Sequence, residues 1–138
     1  MRLFLIMLSF SLTACATYPV SVQQASSVQS SRMLAPAQAF TEAPYTGRLA
    51  ITRDGGFMGS ACLIRVFIDA KPVVDLAPAE RIELFVPLGE HVVSASSTEY
   101  YCGGGVSETA VMITAERRKV LRIAAGQSGD IHIQPSAF

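Results

Sequence analysis

Residues 61–69, ACLIRVFID, limit what this chain can fold into more than any other stretch. Cys62, Ile64, Val66 and Ile68 alternate with Leu63, Arg65, Phe67 and Asp69. Successive side chains of a strand point to opposite faces. The first set therefore makes a core face, and the second, which carries both charges, faces away from it. Comparable runs lie at 46–53 (TGRLAITR), 72–76, 81–86, 90–97, 108–114, 119–125 and 130–134. Asp54-Gly55-Gly56, Ala70-Lys71 and Pro87-Leu88-Gly89 punctuate them as turns. Some seven or eight short strands, with turn signals roughly every 8–12 residues and no amphipathic helix between them, predict an all-β fold. The expected architecture is a small antiparallel β-sandwich over residues 45–138.

The other end of the chain reads as an address. Residues 1–15 are MRLFLIMLSFSLTAC, with Arg2 the only charge. A charged start, a short apolar run over 3–12 and small residues after it make a secretory signal peptide. The run is ten residues, and a spanning helix needs roughly 20, so it is no lasting transmembrane anchor. Leu12-Thr13-Ala14-Cys15 resembles a bacterial lipobox. The resemblance implies cleavage after residue 14 and lipid attachment at Cys15. Acyl chains each add about 0.8 kcal/mol per buried CH₂, and two or more hold a protein stably to a bilayer. Ala16, with no aspartate in that place, resembles the sorting pattern for the outer membrane, on its periplasmic face. Residues 16–44 are rich in Ser, Gln, Ala and Pro and show no sustained period. They predict a flexible linker with an average reach of about 30 Å, which would carry the domain clear of the headgroups.

Composition narrows the function classes. Lys plus Arg is 11 and Asp plus Glu is 11 in 138 residues. With zero net charge there is no field to attract nucleic acid. Three cysteines are present. With Cys15 lipidated, Cys62 and Cys102 remain, and in an oxidising compartment that pair reads as one disulfide. It would close a loop of about 40 residues, worth roughly 4 kcal/mol in the chain-entropy account.

The run 98–108, TEYYCGGGVSE, is the sharpest candidate site. A nucleophilic Cys102 needs a base within reach. Only His91 and His132 exist, and neither has a sequence-local carboxylate partner that would mark a triad. His91 reads as a partly buried strand residue bonded to a loop carbonyl, and His132 as outward-facing on the last strand. The glycines at 103–105 are followed by no helix or Lys-Ser/Thr pair of a phosphate loop, so they read as a sharp turn beside the crosslink. Tyr100 and Tyr101 supply aromatic surface, at least one of them exposed, for contact with a partner. No metal ligand set and no cofactor are expected, and the basic turn Arg117-Arg118-Lys119 reads as solvated.

Residues 61–97 also resemble the PEGA-type β-domain of small bacterial lipoproteins. Ile68-Asp69-Ala70-Lys71 matches its Ile-Asp-Gly-Lys turn, and Leu88-Gly89-Glu90-His91 matches its Pro-Gly-x-His corner. The resemblance implies an immunoglobulin-like or transthyretin-like sandwich and no catalytic residues. Ala70 stands where that pattern has glycine, which argues against a positive-φ residue in the hairpin. The functional expectation is a non-enzymatic, membrane-anchored periplasmic lipoprotein that acts as an interaction or structural module with another envelope protein. Its alternatives are an inhibitor or immunity-type protein that plugs a hydrolase with 98–108, and a carbohydrate- or peptidoglycan-binding module. The last has little aromatic surface to draw on, with no Trp and four Tyr.

Overall fold

Apolar alternation places two inward faces against each other in a computed structural model that describes residues 17–56, 59–126 and 128–138. The signal peptide, Cys15 and Ala16 lie outside the described residues. Among the described residues nine strands form: β1 (Ser26–Ser27), β2 (Thr46–Arg53), β3 (Ile64–Ile68), β4 (Lys71–Leu76), β5 (Glu80–Pro87), β6 (Gly89–Ser97), β7 (Ser107–Ile113), β8 (Lys119–Ala125) and β9 (Ile131–Pro135). One sheet runs β1-β5-β2-β8-β9 and the other β4-β3-β6-β7. Leu49, Ile51, Leu84, Leu121 and Ile123 of the first meet Ile64, Val66, Val74, Leu76, Val93 and Ile113 of the second in one buried cluster. Burying each such side chain is worth about 2 kcal/mol, so this interface is the main source of stability.

The protein is thus an all-β sandwich, as the alternation predicts. Two pairings depart from a purely antiparallel one: β2 runs parallel to β8, and β1 parallel to β5. Four strands on each side of the core, leaving β1 aside, do not fit the immunoglobulin four-plus-three plan. The strand expected at 61–69 begins in fact at Ile64. The Cys62 N–H turns back to the Gly59 carbonyl at 3.2 Å, which takes 61–62 out of the ladder while Cys62 stays buried.

The expected linker is the largest correction. Residues 17–44 are not a free tether but a strap packed along the sandwich. At its start, Tyr18 and Gly55 exchange two backbone hydrogen bonds of 3.0 and 3.1 Å. Val20, Val22 and Ala25 are buried. Their place follows from the sheet register. Arg81 pairs with Thr52 across β5 and β2, so both side chains share the outer face. Arg81 donates to the Val22 carbonyl at 2.5 Å, which sets Val22 over that face. Ala50 and Thr52, which point away from the core, are accordingly buried as well. The strap then pairs with β5 through Ser26 and Val28, and with β4 where Leu34 donates to the Val73 carbonyl at 2.9 Å. Arg32 donates to both carboxylate oxygens of Glu80. One segment so covers the open edges of both sheets on this side, where unpaired N–H and C=O groups would otherwise invite foreign strands.

A second correction concerns the β3–β4 hairpin. Asp69 and Ala70 have φ of 50° and 64°, the two positive values of a type I′ turn. Ala70 does adopt the conformation that its side chain argues against, because Ile68 pairs with Lys71 and leaves only two residues to reverse the chain.

Two measurements follow. Val22→Asp should lower the thermal midpoint by roughly 10 °C, since a charge would replace a buried side chain; a free tether would show no change. Ala70→Gly should raise stability by roughly 0.5–1 kcal/mol, the relief of a left-handed alanine less the added chain entropy of glycine. Chemical denaturation reads it, and an equal or lower midpoint would contradict the turn assignment.

Candidate functional site

The loops gather at two opposite ends of the sandwich. One end holds 54–56, 59–62, 98–106 and 128–130, and its structure is organised by a buried charge. Arg53, the last residue of β2, is only 2% exposed. Its Nη1 donates to the carbonyls of Cys62 and Leu76, both at 2.7 Å, and its Nη2 to that of Gly59, also at 2.7 Å. Burial lowers its pKa to about 10, against a raising influence from Glu80, so the guanidinium stays charged at neutral pH. The clamp fixes the 59–62 turn and therefore Cys62. Nothing but its position at a strand end marked Arg53 in the sequence.

Cys62 and Cys102 form a disulfide with Cα atoms 6.4 Å apart, so Cys102 is the far end of a staple and not a nucleophile. Tyr100–Cys102 form one 3-10 turn, and Gly103 and Gly104 follow with φ of 70° and 76°. A side chain at Gly104 would put its Cβ 2.4 Å from the Gly129 carbonyl oxygen. The glycines therefore let the loop close onto its neighbour. Tyr100 is 95% exposed and Tyr101 66%. Their rings meet edge to face at 5.8 Å. Both, not one, are open to solvent.

Beside this end Asp54 is buried, with Arg122 Nε 3.2 Å from its Oδ1. Desolvation pushes its carboxyl above the usual range, opposed by Arg122 and by the Val20 backbone N–H. Thr52 Oγ1, Asp54 Oδ1 and Arg122 Nε have no aligned hydrogen-bond partner. The Asp54–Arg122 contact is thus a close ion pair with poor hydrogen-bond geometry.

The second end brings together the two motifs of the PEGA-type resemblance. Asp69 Oδ2 lies 2.6 Å from His91 Nδ1, and the Val92 N–H donates to Asp69 Oδ1 at 3.0 Å. His91 Nε2 lies 2.8 Å from the Pro87 carbonyl, the expected bond to a chain carbonyl. The His91 and Val92 hydrogen bonds hold the Asp69 carboxyl below the usual range. The arrangement locks the hairpin to the β5–β6 corner. A groove of about 260 Å³ opens next to it, lined by Pro36, Ile68, Pro72, Phe85 and Pro87 with Lys71 at its rim.

The other expectations resolve individually. His132 does have a sequence-local carboxylate: its Nε2 meets Asp130 Oδ2, two residues earlier on the same face. That pair is exposed, and it lowers the Asp130 pKa without a third group to make a triad. In the basic turn, Arg118 pairs with Glu83 at 3.2 Å on the surface. Among the described residues no group of three His, Cys, Asp or Glu side chains is placed to hold a metal ion.

Asp69 gives up its proton more readily in the folded chain than in the unfolded one. Its interactions therefore stabilise fully above the ordinary aspartate range near 3.9, and the contribution fades as pH falls through the lower folded value. The side chain is half exposed, so solvent screening holds the contribution of its charge to roughly 0.5–1 kcal/mol. Asp69→Asn keeps the turn preference and removes the charge. The variant should be less stable by that amount at pH 7 and match the parent near pH 2, as read by urea denaturation at both pH values. An equal deficit at both would remove the charge as its cause.

No protein-family model and no curated protein matches the chain. Among solved structures it is similar to the NMR structure of a protein from Eubacterium rectale. That match has 11% identity and a TM-score of 0.46, over 69% of this chain and 92% of the other. It brings no ligand or activity to this chain.

Proposed function

We propose that this protein is a non-enzymatic lipoprotein, anchored through acylated Cys15 to the periplasmic face of the outer membrane, where it serves as an interaction or structural module of the envelope. The observation that carries this reading is a conjunction. A lipobox-like Leu12-Thr13-Ala14-Cys15 ends three residues before Tyr18, the point where the chain joins a disulfide-stapled sandwich. A disulfide fits an oxidising compartment. A module that works by contact needs rigid displayed surfaces more than a reactive group. The stapled 98–106 loop and the groove beside Asp69 are two such surfaces. The state of the candidate reactive groups supports the same reading: Cys62 and Cys102 are tied to each other, and His91 is held between a carboxylate and a carbonyl.

Growth with labelled palmitate tests the anchor. The parent protein should take up label and fractionate with membranes. Cys15→Ser should lose the label and appear in the soluble periplasmic fraction. Label retained on Cys15→Ser would refute the proposal.

A further inference from the structure

Tyr18 and the tyrosine loop lie at the same end of the sandwich. Tyr18 bridges Gly55, two residues past Arg53. Arg53 holds Cys62, Cys62 is crosslinked to Cys102, and Cys102 follows Tyr100 and Tyr101 directly. The Asp69–His91 end is eight residues of β2 away, about 26 Å at strand rise. The strap also removes the reach that a tether would have given. From Cys15 to Tyr18 the chain spans at most about 11 Å even when fully extended.

We propose that the end carrying Tyr100 and Tyr101 seats against the bilayer that holds Cys15, with both rings at headgroup level. This rests on the lipid anchor proposed above. An anchor this short brings the Tyr18 end to the membrane and leaves the Asp69 end unable to turn toward it. The surface that arrives there is suited to the place. Tyr100, Tyr101, Val106 and Tyr18 are all exposed large apolar residues, and tyrosine, apolar in body and polar at its tip, favours the membrane–water boundary. Exposed Glu99 beside them keeps the loop out of the hydrocarbon and sets its depth at the headgroups. The disulfide, the Arg53 clamp and the contact with Gly129 hold the loop in shape before it meets lipid, so little ordering entropy opposes seating. The arginines at this end are engaged, Arg53 with carbonyls and Arg122 with Asp54. Attraction to anionic lipid therefore plays little part, and the contact should be insensitive to salt.

The chain has no tryptophan, so one indole reports its own position. Acylated full-length protein carrying Tyr100→Trp, or Tyr45→Trp at the opposite end as control, is placed in phosphatidylethanolamine and phosphatidylcholine vesicles with brominated acyl chains. Tyr100→Trp should shift to the blue and be quenched, at low and high salt alike, while Tyr45→Trp stays unquenched. Three outcomes overturn the inference: a Tyr100→Trp signal unchanged from the unacylated Cys15→Ser form, equal quenching at both positions, or shielding of the indole only when whole envelope protein is added, which would assign the loop to a protein partner. Palmitate uptake by the same preparations separates the two proposals. Without uptake, anchor and orientation fall together; with uptake and no quenching, the orientation alone falls.

Discussion

The three bonds from Arg53 are the constraint on which one whole end of the molecule depends. Taking a guanidinium out of water carries a cost of several kcal/mol. Three charge-assisted hydrogen bonds at 2.7 Å offset it, because a bond with one charged partner is about twice as strong as a neutral one. The geometry also explains why the charge sits there. Backbone carbonyls of the 59–62 turn and of the end of β4 converge on it. A buried carbonyl without a donor costs about 1–3 kcal/mol, so one arginine serves the carbonyls of Cys62 and Leu76, adds a second donor to that of Gly59, and ties β2, β4 and the turn together. The disulfide then extends this fixed point to the loop after β6, and the loop after β8 closes against it.

The strap solves a different problem with weaker means. A sandwich of two open sheets leaves two edges on each side, and residues 17–44 cover both edges of one side with backbone hydrogen bonds to β5 and β4. Its side chains contribute as they pass: Val22 on the outer face of β2, Val28, Met33 and Phe40 toward the core. The path changes direction several times to do this. That is why no regular period marks it in the sequence, where Val20, Val22, Ala25 and Val28 are separated by Ser and Gln. A segment that binds through its backbone reveals little in its side chains. Composition alone reads such a stretch as disordered.

What was legible follows the same division. Strand existence was readable because alternation is a side-chain property: β3, β5 and β6 lie where Val66, Leu84 and Val93 put them. The crosslink was readable by counting cysteines in a compartment. The parallel β2–β8 pair was not, since alternation says which face is buried and not which strand lies next door. Ala70 misled because its side chain disfavours a left-handed turn while the two-residue connection demands one. Arg53 was invisible for a related reason. A charged residue before Asp-Gly-Gly reads as the wet end of a strand, and only the carbonyls converging on it make it a core residue. For His91 and Asp69 the residues stood out through the PEGA-type motifs, but their 22-residue separation concealed that they meet.

Once the segment after Cys15 is a strap, an anchor there acts differently from one on a free linker. A flexible coil would pass no torque, and every face of the domain would sample the membrane and the periplasm alike. A strap bonded at Tyr18, with Val20, Val22, Ala25 and Val28 buried, would pass the anchor's pull into the β2–β5 face, and so into the sheet itself. The two ends of the sandwich then stop being equivalent. In the proposed orientation the stapled aromatic end would be brought to the lipid. The end where Asp69 and His91 hold the hairpin, with its apolar groove and exposed Tyr45, would then face away from the lipid. A rigid mount makes the orientation of a small domain part of its function, and with an anchor at Cys15 the same 28 residues that shield the edges would also set that orientation.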